Sequence, residues 1–275
     1  MTGRLLIDDV DVYTEYCVCV AEGGFNELAA FPALKEIDKN DWHEYDGIEP
    51  DLSAPVLNTK DVQMSFFLKG SVSNYISFIE LLTNGVYHTF ECLGREWTLR
   101  LVNAPNHRVI QPLELFTLKF ADDYPLNGYS YLAPSSTVRA AEDYKIDNKK
   151  FTDYGVRILE GSLAEVLKAA PEKQNLLRNI PSQSGVIYDG LTVKLQSKDV
   201  KLNCLMRAST LSELWRNHNA LLYDLIRPNE RLLYVSHTNK SYKCYYKNST
   251  VKSFYPDDKI WLEFTLTLTF TRDFR

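Results

Sequence analysis

Residues 60–71 read KDVQMSFFLKGS and residues 198–209 read KDVKLNCLMRAS, so one stretch of the chain occurs twice at a spacing of 138 residues. Apolar residues stand at every second position from Val62 to Leu68, and the same period returns from Val200 to Met206. A period of two is typical of a β-strand with one buried face. The two stretches therefore predict one strand in each of two similar units.

The repeat continues outside these stretches. Residues 13–31 (YTEYCVCVAEGGFNELAAF) match residues 151–169 (FTDYGVRILEGSLAEVLKA) at the same spacing, and the closing segments FTLKFADD (116–123) and LTLTFTRD (266–273) also agree. Three matches in one order predict an internal duplication. Residues 125–142 cluster Pro, Gly and Ser without a sustained period, which is typical of a linker. The predicted organisation is a first domain over 1–124, a linker over 125–142 and a second domain over 143–275.

Each copy shows the same order of elements: strands, a Glu-Gly turn, a strand, a helix, a hairpin and a closing strand. Helical spacing predicts helices over 73–84 and 211–227, and Gly94 and Asn239 mark the two hairpin turns. The predicted fold class is mainly β with some α (α+β). Each copy is expected to be an antiparallel β-sandwich or open barrel with one flanking helix.

The last strand has two different faces. One face is apolar, and the other carries Thr265, Thr267 and Thr269. We expect the apolar face to pack on a core and the threonine face to meet solvent, a lumen or a neighbouring subunit. Because one copy offers these threonines no identifiable partner, they are predicted to lie at a subunit interface.

Composition limits the function classes. The 275 residues are 45% hydrophobic and 24% charged, which predicts a folded chain. No apolar run has the ~18–20 residues of a membrane helix, and the acidic N-terminal segment predicts no secretion signal. The net charge of −5 argues against a protein that grips DNA phosphates, although DNA could still pass along it. The five cysteines lack Cys-x-x-Cys spacing and are predicted to be free thiols.

The sequence shows no chemistry-bearing motif. The histidines (His43, His88, His107, His218 and His237) lack metal-ligand spacing, and His218 lies in an apolar helix stripe that predicts a core position. The acidic tract from Glu44 to Asp51 lacks the ligand spacing of a calcium loop and predicts an exposed loop. We therefore expect no enzyme, no catalytic residue, no cofactor and no metal site. Trp215 is expected in the core, and Trp261 and Tyr242 at an interface.

Residues 32–59 form the segment that differs most between the copies. The segment is long and has no core period, and loops of this kind are usually functional or disordered. Aromatic side chains dominate interfaces. We expect the loop to reach a neighbouring subunit or ring, with Trp42 and Tyr45 as anchors.

In the order of these elements, the chain resembles the phage tail-tube superfamily, especially distal tail proteins and baseplate hub proteins. The resemblance rests on the strand KDVQMSFFLKGS, the helix SNYISFIELLTNG, the hairpin YHTFECLGREWTLRLV and the closing strand LELFTLKFADDYPL, all of which recur in the second copy.

The resemblance implies a structural component of a phage or phage-like tail that forms a ring around the DNA channel. The implied location is the tail tip of a virion made in the host bacterial cytoplasm. Implied partners are further copies of the chain and other tail proteins (tube, tape measure, hub or fibre), while DNA only passes through the lumen. Two similar copies favour a ring of three chains with pseudo-sixfold symmetry over a ring of six chains.

A second interpretation stays open. The chain could be a carbohydrate- or surface-binding β-module without catalysis. That function requires an exposed aromatic platform in one copy.

Overall fold

A computed structural model of the chain describes residues 4–110, 113–141, 143–173, 177–188 and 193–272. The elements of the first half are β1 (Leu6–Ile7), β2 (Val10–Asp11), α1 (Val12–Tyr16), β3 (Val18–Val20), a 3-10 turn (Asn26–Ala29), β4 (Lys39–Asn40), β5 (Glu49–Pro50), β6 (Lys60–Leu68), α2 (Val72–Thr83), β7 (His88–Cys92), β8 (Arg95–Ile110) and β9 (Leu113–Asp122).

The second half repeats this series. Its elements are β10 (Tyr144–Ile146), β11 (Lys149–Lys150), a 3-10 turn (Phe151–Tyr154), β12 (Val156–Ile158), α3 (Ser162–Leu167), β13 (Leu177–Asn179), β14 (Val186–Tyr188), β15 (Lys198–Ala208), α4 (Leu211–Leu225), β16 (Arg231–Val235), β17 (Lys240–Tyr255) and β18 (Ile260–Arg272).

Each half contributes one seven-stranded antiparallel sheet. The strand orders are β2-β1-β7-β8-β9-β6-β3 and β11-β10-β16-β17-β18-β15-β12, so corresponding strands occupy corresponding places. Two small hairpins, β4–β5 and β13–β14, also correspond. The prediction of a mainly β fold is confirmed, and the shared strand order agrees with the predicted duplication.

Local sequence explains where the helices begin. Ser71 and Thr210 stand before α2 and α4, and the Thr210 hydroxyl accepts a hydrogen bond from the Glu213 backbone N–H at 3.1 Å. A hydroxyl at this position satisfies a backbone donor that the first helical turn leaves free. The structure confirms both predicted helices to within two residues at each end.

The predicted hairpin turns are also present. Leu93 and Gly94 join β7 to β8 with φ angles of 53° and 70°, the left-handed pair that a two-residue hairpin turn requires. Asn239, with a φ of 50°, closes the longer turn between β16 and β17. Glycine and asparagine tolerate this backbone region best, which is why they mark these turns.

Equivalent residues of the two copies make equivalent contacts. The Lys60 ammonium donates to the Leu28 carbonyl at 2.6 Å, and the Lys198 ammonium donates to the Val166 carbonyl at the same distance. Burial lowers the pKa of Lys60 to about 7 and also lowers the pKa of Lys198. Isolated bridges at Leu34–Leu57 and Glu172–Leu195 repeat the spacing of 138 residues. The two copies therefore share their local geometry as well as their strand order.

The closing strands correspond with a different alignment from the predicted one. Phe116 lies opposite Phe66 in β6, and Phe264 lies opposite Cys204 in β15. FTLKF therefore matches FTLTL from residue 264, two residues earlier than the sequence comparison predicted. Because side chains alternate with a period of two, a shift of two residues keeps every side chain on its own face and leaves no trace in the pattern.

Candidate assembly surface

The first copy lies on the second copy through the loop that was expected to reach another subunit. The Gly47 backbone N–H donates to the Leu195 carbonyl at 2.7 Å, and the Ile48 N–H donates to the Thr271 carbonyl at 2.8 Å. Farther along the loop, the Leu52 carbonyl accepts from the Asn229 N–H at 2.8 Å. The backbone of the loop is thus seated within its own chain, and the expectation that it reaches outward is wrong for this part of it.

A buried lysine holds this loop in place. The Lys173 side chain is only 3% exposed, and its ammonium donates to the carbonyls of Trp42 and Gly47, each at 2.7 Å. The same ammonium pairs with Asp41 at 2.6 Å. A buried ammonium needs such a set of acceptors to offset the loss of water. Lys173 in the second copy therefore fixes the hairpin β4–β5 of the first.

A second set of contacts joins the copies through aromatic rings. The Trp215 indole N–H of α4 donates to the Leu93 carbonyl at 2.9 Å, and the ring stands edge-on to Trp97 at 5.6 Å. Nearby, Phe31 lies 4.2 Å from His218, whose Nε2 is 2.9 Å from the Ala29 carbonyl. The predicted core positions of Trp215 and His218 are confirmed. The core they enter is the joint between the copies, and we call all these contacts together the internal joint.

Trp42 and Tyr45 themselves point away from the internal joint. Their side chains are 51% and 69% exposed. The backbone of the loop is anchored while these two rings remain accessible. Their role at a contact with another subunit stays a prediction.

The threonine face has partners that the sequence did not reveal. The Thr269 hydroxyl donates to Asp199 at 2.7 Å, and the Thr265 hydroxyl contacts Asn203 at 3.4 Å, both in the neighbouring strand β15. Thr267 and Thr269 are buried within one chain. The premise that these threonines lack a partner in one copy is therefore wrong. The reason for predicting them at a subunit interface no longer holds, and their position at such an interface stays a prediction.

Tyr242 and Trp261, both predicted at an interface, differ in how far they are buried. Tyr242 is buried and stacks on Phe270 at 5.0 Å, so its predicted interface position is wrong. Trp261 is partly exposed and stacks on Tyr255 at 4.2 Å. Only the second residue remains available to a partner.

The two long hairpin strands differ in what covers their outer edges. β17 pairs with β16 only as far as Cys244. Beyond that point the first copy covers its edge. The Leu34 N–H donates to the Lys247 carbonyl and the Phe31 N–H donates to the Ser249 hydroxyl, each at 2.9 Å. β8 pairs with β7 only as far as Leu99. From residue 102 to residue 109 every side chain of β8 is exposed.

The open edge of β8 carries apolar side chains. Val102 is 43% exposed and Val109 is 61% exposed. Open strand edges are pairing surfaces for further chains, and proteins usually cover or charge them. The residues from 102 to 109 therefore form the candidate assembly surface of the first copy.

A charged cluster ties the linker to the second copy. Asp224, buried at the end of α4, accepts hydrogen bonds from the hydroxyls of Tyr131 and Tyr154 and from the Lys149 ammonium, at 3.1, 2.6 and 2.8 Å. Burial, together with hydrogen bonding to Asp224, raises the pKa of Tyr154. Each polar group here has a partner, which is typical of a structural network. The cluster joins Tyr131 of the linker to α4.

The described residues offer neither a cluster of metal ligands nor a helix that could span a membrane. Among them, no group of three or more His, Cys, Asp or Glu side chains is arranged to hold a metal ion. No helix within these ranges is long and apolar enough to cross a membrane. In the acidic tract, Asp46 accepts a hydrogen bond from the Leu195 N–H at 2.8 Å. One carboxylate of the tract thus serves the internal joint.

Comparisons with known proteins found similarity among solved structures. No protein-family model matches the chain, and no curated protein matches it at a significant level. Among solved structures, the chain is similar to the crystal structure of the SPP1 Dit (gp 19.1) protein, described as a paradigm of the hub adsorption apparatus in phages that infect Gram-positive bacteria. The alignment covers 99% of this chain and 100% of that chain, with 13% sequence identity and a TM-score of 0.35.

Proposed function

We propose that the protein is a structural component of a phage or phage-like tail, a distal tail protein or hub adaptor, which forms a ring around the DNA channel. The observation that carries the proposal is the unequal covering of two equivalent strands. The first copy covers the outer edge of β17 at Lys247 and Ser249, while the same edge of β8 stays open with Val102 and Val109 exposed. The strand edge that is covered in the second copy is open in the first copy. A further chain can therefore cover the open edge of β8.

The order of elements supports the choice of a tail. Strand, helix, hairpin and closing strand follow one another in both copies, as the resemblance to the tail-tube superfamily requires. The net charge of −5 suits a wall past which DNA moves without being held. The proposal assigns no catalysis, cofactor or metal to the chain. Its partners are further copies of itself and neighbouring tail proteins.

Particle images and light scattering on the purified protein at high concentration test this function. We expect ring-shaped particles with the mass of three chains. A ring of six chains would keep the tail assignment and overturn the pseudo-sixfold symmetry. A chain that stays monomeric, also when mixed with neighbouring tail proteins, would contradict the proposed function.

Replacing Trp42 and Tyr45 together by Ala should weaken assembly and leave the fold intact. Both rings are more than half exposed, so the free energy of unfolding should change by less than about 0.5 kcal/mol. Sedimentation should show assembly ~10-fold weaker or more, because exposed aromatic anchors dominate contacts between chains.

The matched control replaces Tyr13 and Tyr124, which are 54% and 64% exposed, by Ala. This control should assemble like the parent chain. A large loss of stability in the Trp42 and Tyr45 variant would instead place these rings in the core.

One observation favours the second function, binding of carbohydrate. Tyr131 and Tyr223 lie 5.1 Å apart, with Tyr129 6.0 Å from Tyr223, and the first two rings are 36% and 39% exposed. Partly exposed rings in one place can receive the apolar face of a sugar. A glycan array without hits would remove this function.

A further inference from the structure

Lys35 of the first copy occupies the position that Lys173 occupies in the second. The Lys173 backbone N–H donates to the Lys194 carbonyl at 2.7 Å, and the Lys35 N–H donates to the Val56 carbonyl at 2.8 Å. The two pairs are related by the spacing of 138 residues. The Lys173 ammonium is buried on the carbonyls of a hairpin, whereas the Lys35 side chain is exposed. Within the described part of the chain, Lys35 pairs with no carboxylate.

The hairpin β13–β14 corresponds to the hairpin β4–β5. Unlike those of β4–β5, its described residues are not packed against the other copy. Gly47 and Gly185 stand at equivalent turn positions with φ angles of 73° and 85°. A Cβ on Gly47 would lie 1.6 Å from the Thr271 carbonyl oxygen, while a Cβ on Gly185 would meet nothing within 4 Å. The next residues differ in the same way, since Ile48 is 4% exposed and its equivalent Val186 is 52% exposed.

The segment that covers β17 also has an unused equivalent. Ala29 of the first copy is buried against the second, and its equivalent Leu167, at the end of α3, is 60% exposed. The edge that this segment would cover is the open edge of β8. Leu101 lies opposite Phe120 as Tyr246 lies opposite Leu268, so Val102 takes the place of Lys247. One chain thus carries both surfaces of a second hairpin contact and of a second edge contact, and neither is filled by the residues that the structure describes.

We propose that chains join head to tail by repeating the hairpin and edge contacts of the internal joint, with the hairpin β13–β14 of one chain seated on the first copy of the next. This inference rests on the proposed ring assembly and names its contact. Lys35 takes the role of Lys173 and donates to the carbonyls of Ile180 and Gly185, the equivalents of Trp42 and Gly47. Val186 enters the position that Ile48 fills inside the chain, and Glu172, the equivalent of Leu34, covers the β8 edge at Val102.

The partner is a second copy of this chain because both halves of the missing contact are present on it. A foreign partner would need only one of the two surfaces. The contact joins different surfaces of the two chains, so it propagates around a closed ring or along an open filament.

Two single variants separate the halves of the proposed contact. Lys35→Glu places a carboxylate before backbone carbonyls, and Val186→Asp places a charge in an apolar seat, so each should weaken assembly ~100-fold. Both side chains are exposed in the single chain, so both variants should fold. Sedimentation velocity should find each variant monomeric under conditions in which the parent chain forms rings.

An equal mixture of the two variants is the decisive sample. Lys35→Glu retains an intact hairpin and Val186→Asp retains an intact seat, so the mixture should form a two-chain species and nothing larger. Lys240→Glu, the same charge change at an exposed residue at the start of β17, is the control and should assemble like the parent.

The outcomes distinguish this contact from the proposed function. Rings formed by both variants would overturn the contact and leave the tail function standing. A mixture that yields no two-chain species would overturn the head-to-tail geometry. A parent chain that never assembles, also in the presence of neighbouring tail proteins, would overturn both the contact and the function.

Discussion

Replacing Trp215 by Ala should lower the free energy of unfolding by about 3–5 kcal/mol, the range found when large buried aromatic side chains are truncated. The indole is 5% exposed and packs on Trp97, and the Arg95 guanidinium lies 5.3 Å from its ring centroid. The variant also leaves the Leu93 carbonyl without its donor. The loss therefore combines a cavity with a broken hydrogen bond at the internal joint.

Urea unfolding followed by circular dichroism measures this loss. Trp261→Ala is the matched control, because it removes the same side chain from a stacked pair outside the internal joint. That control should cost about 1 kcal/mol. A Trp215→Ala variant as stable as the control would show that the joint contributes little to the folded state.

Acid should weaken the folded state through His218. Burial lowers the pKa of His218 to about 3, and the positive charges of Arg95 and Lys60 act in the same direction. In the unfolded chain the imidazole titrates near its ordinary pKa of ~6.5. Between these two values the unfolded chain binds a proton that the folded chain does not. The free energy of unfolding should therefore fall as the pH falls through this window, by roughly 1.4 kcal/mol per pH unit.

His218→Gln isolates this contribution, because glutamine keeps an N–H donor for the Ala29 carbonyl and does not titrate. Urea unfolding at a series of pH values from about 7 to about 4 should show a shallower loss of stability for the variant than for the parent. All other ionisable groups are common to both proteins, so they cancel in the difference. Equal slopes would mean that His218 accepts its proton in the folded state.

Most of the secondary structure within each copy could be predicted from the sequence. The spacing of 138 residues was visible because both copies keep the residues that set their backbone, such as the buried lysines Lys60 and Lys198. The helices and hairpin turns followed from caps, apolar spacing and residues suited to left-handed backbone. These signals come from residues that are close together along the chain, so a single sequence is enough to detect them.

Contacts that depend on the tertiary structure could not be predicted in the same way. Residues 32–59 have no core period because their partner is the second copy, more than a hundred residues away along the chain. The threonine face looked unpaired because Asp199, the partner of Thr269, lies in another strand. Tyr242 was predicted at an interface, yet its hydroxyl bonds to Thr238 at 3.2 Å and its ring lies in the core.

The two lysines at equivalent positions would not tolerate change equally. The hairpin that Lys173 holds is tethered to its seat by the same polypeptide, so its effective concentration is fixed and does not depend on how much protein is present. In the proposed contact the hairpin that Lys35 receives comes from another molecule, so its occupancy depends on the protein concentration. A substitution that weakens both contacts by the same factor should therefore spare the folded chain in the first case and abolish assembly in the second whenever the protein is dilute.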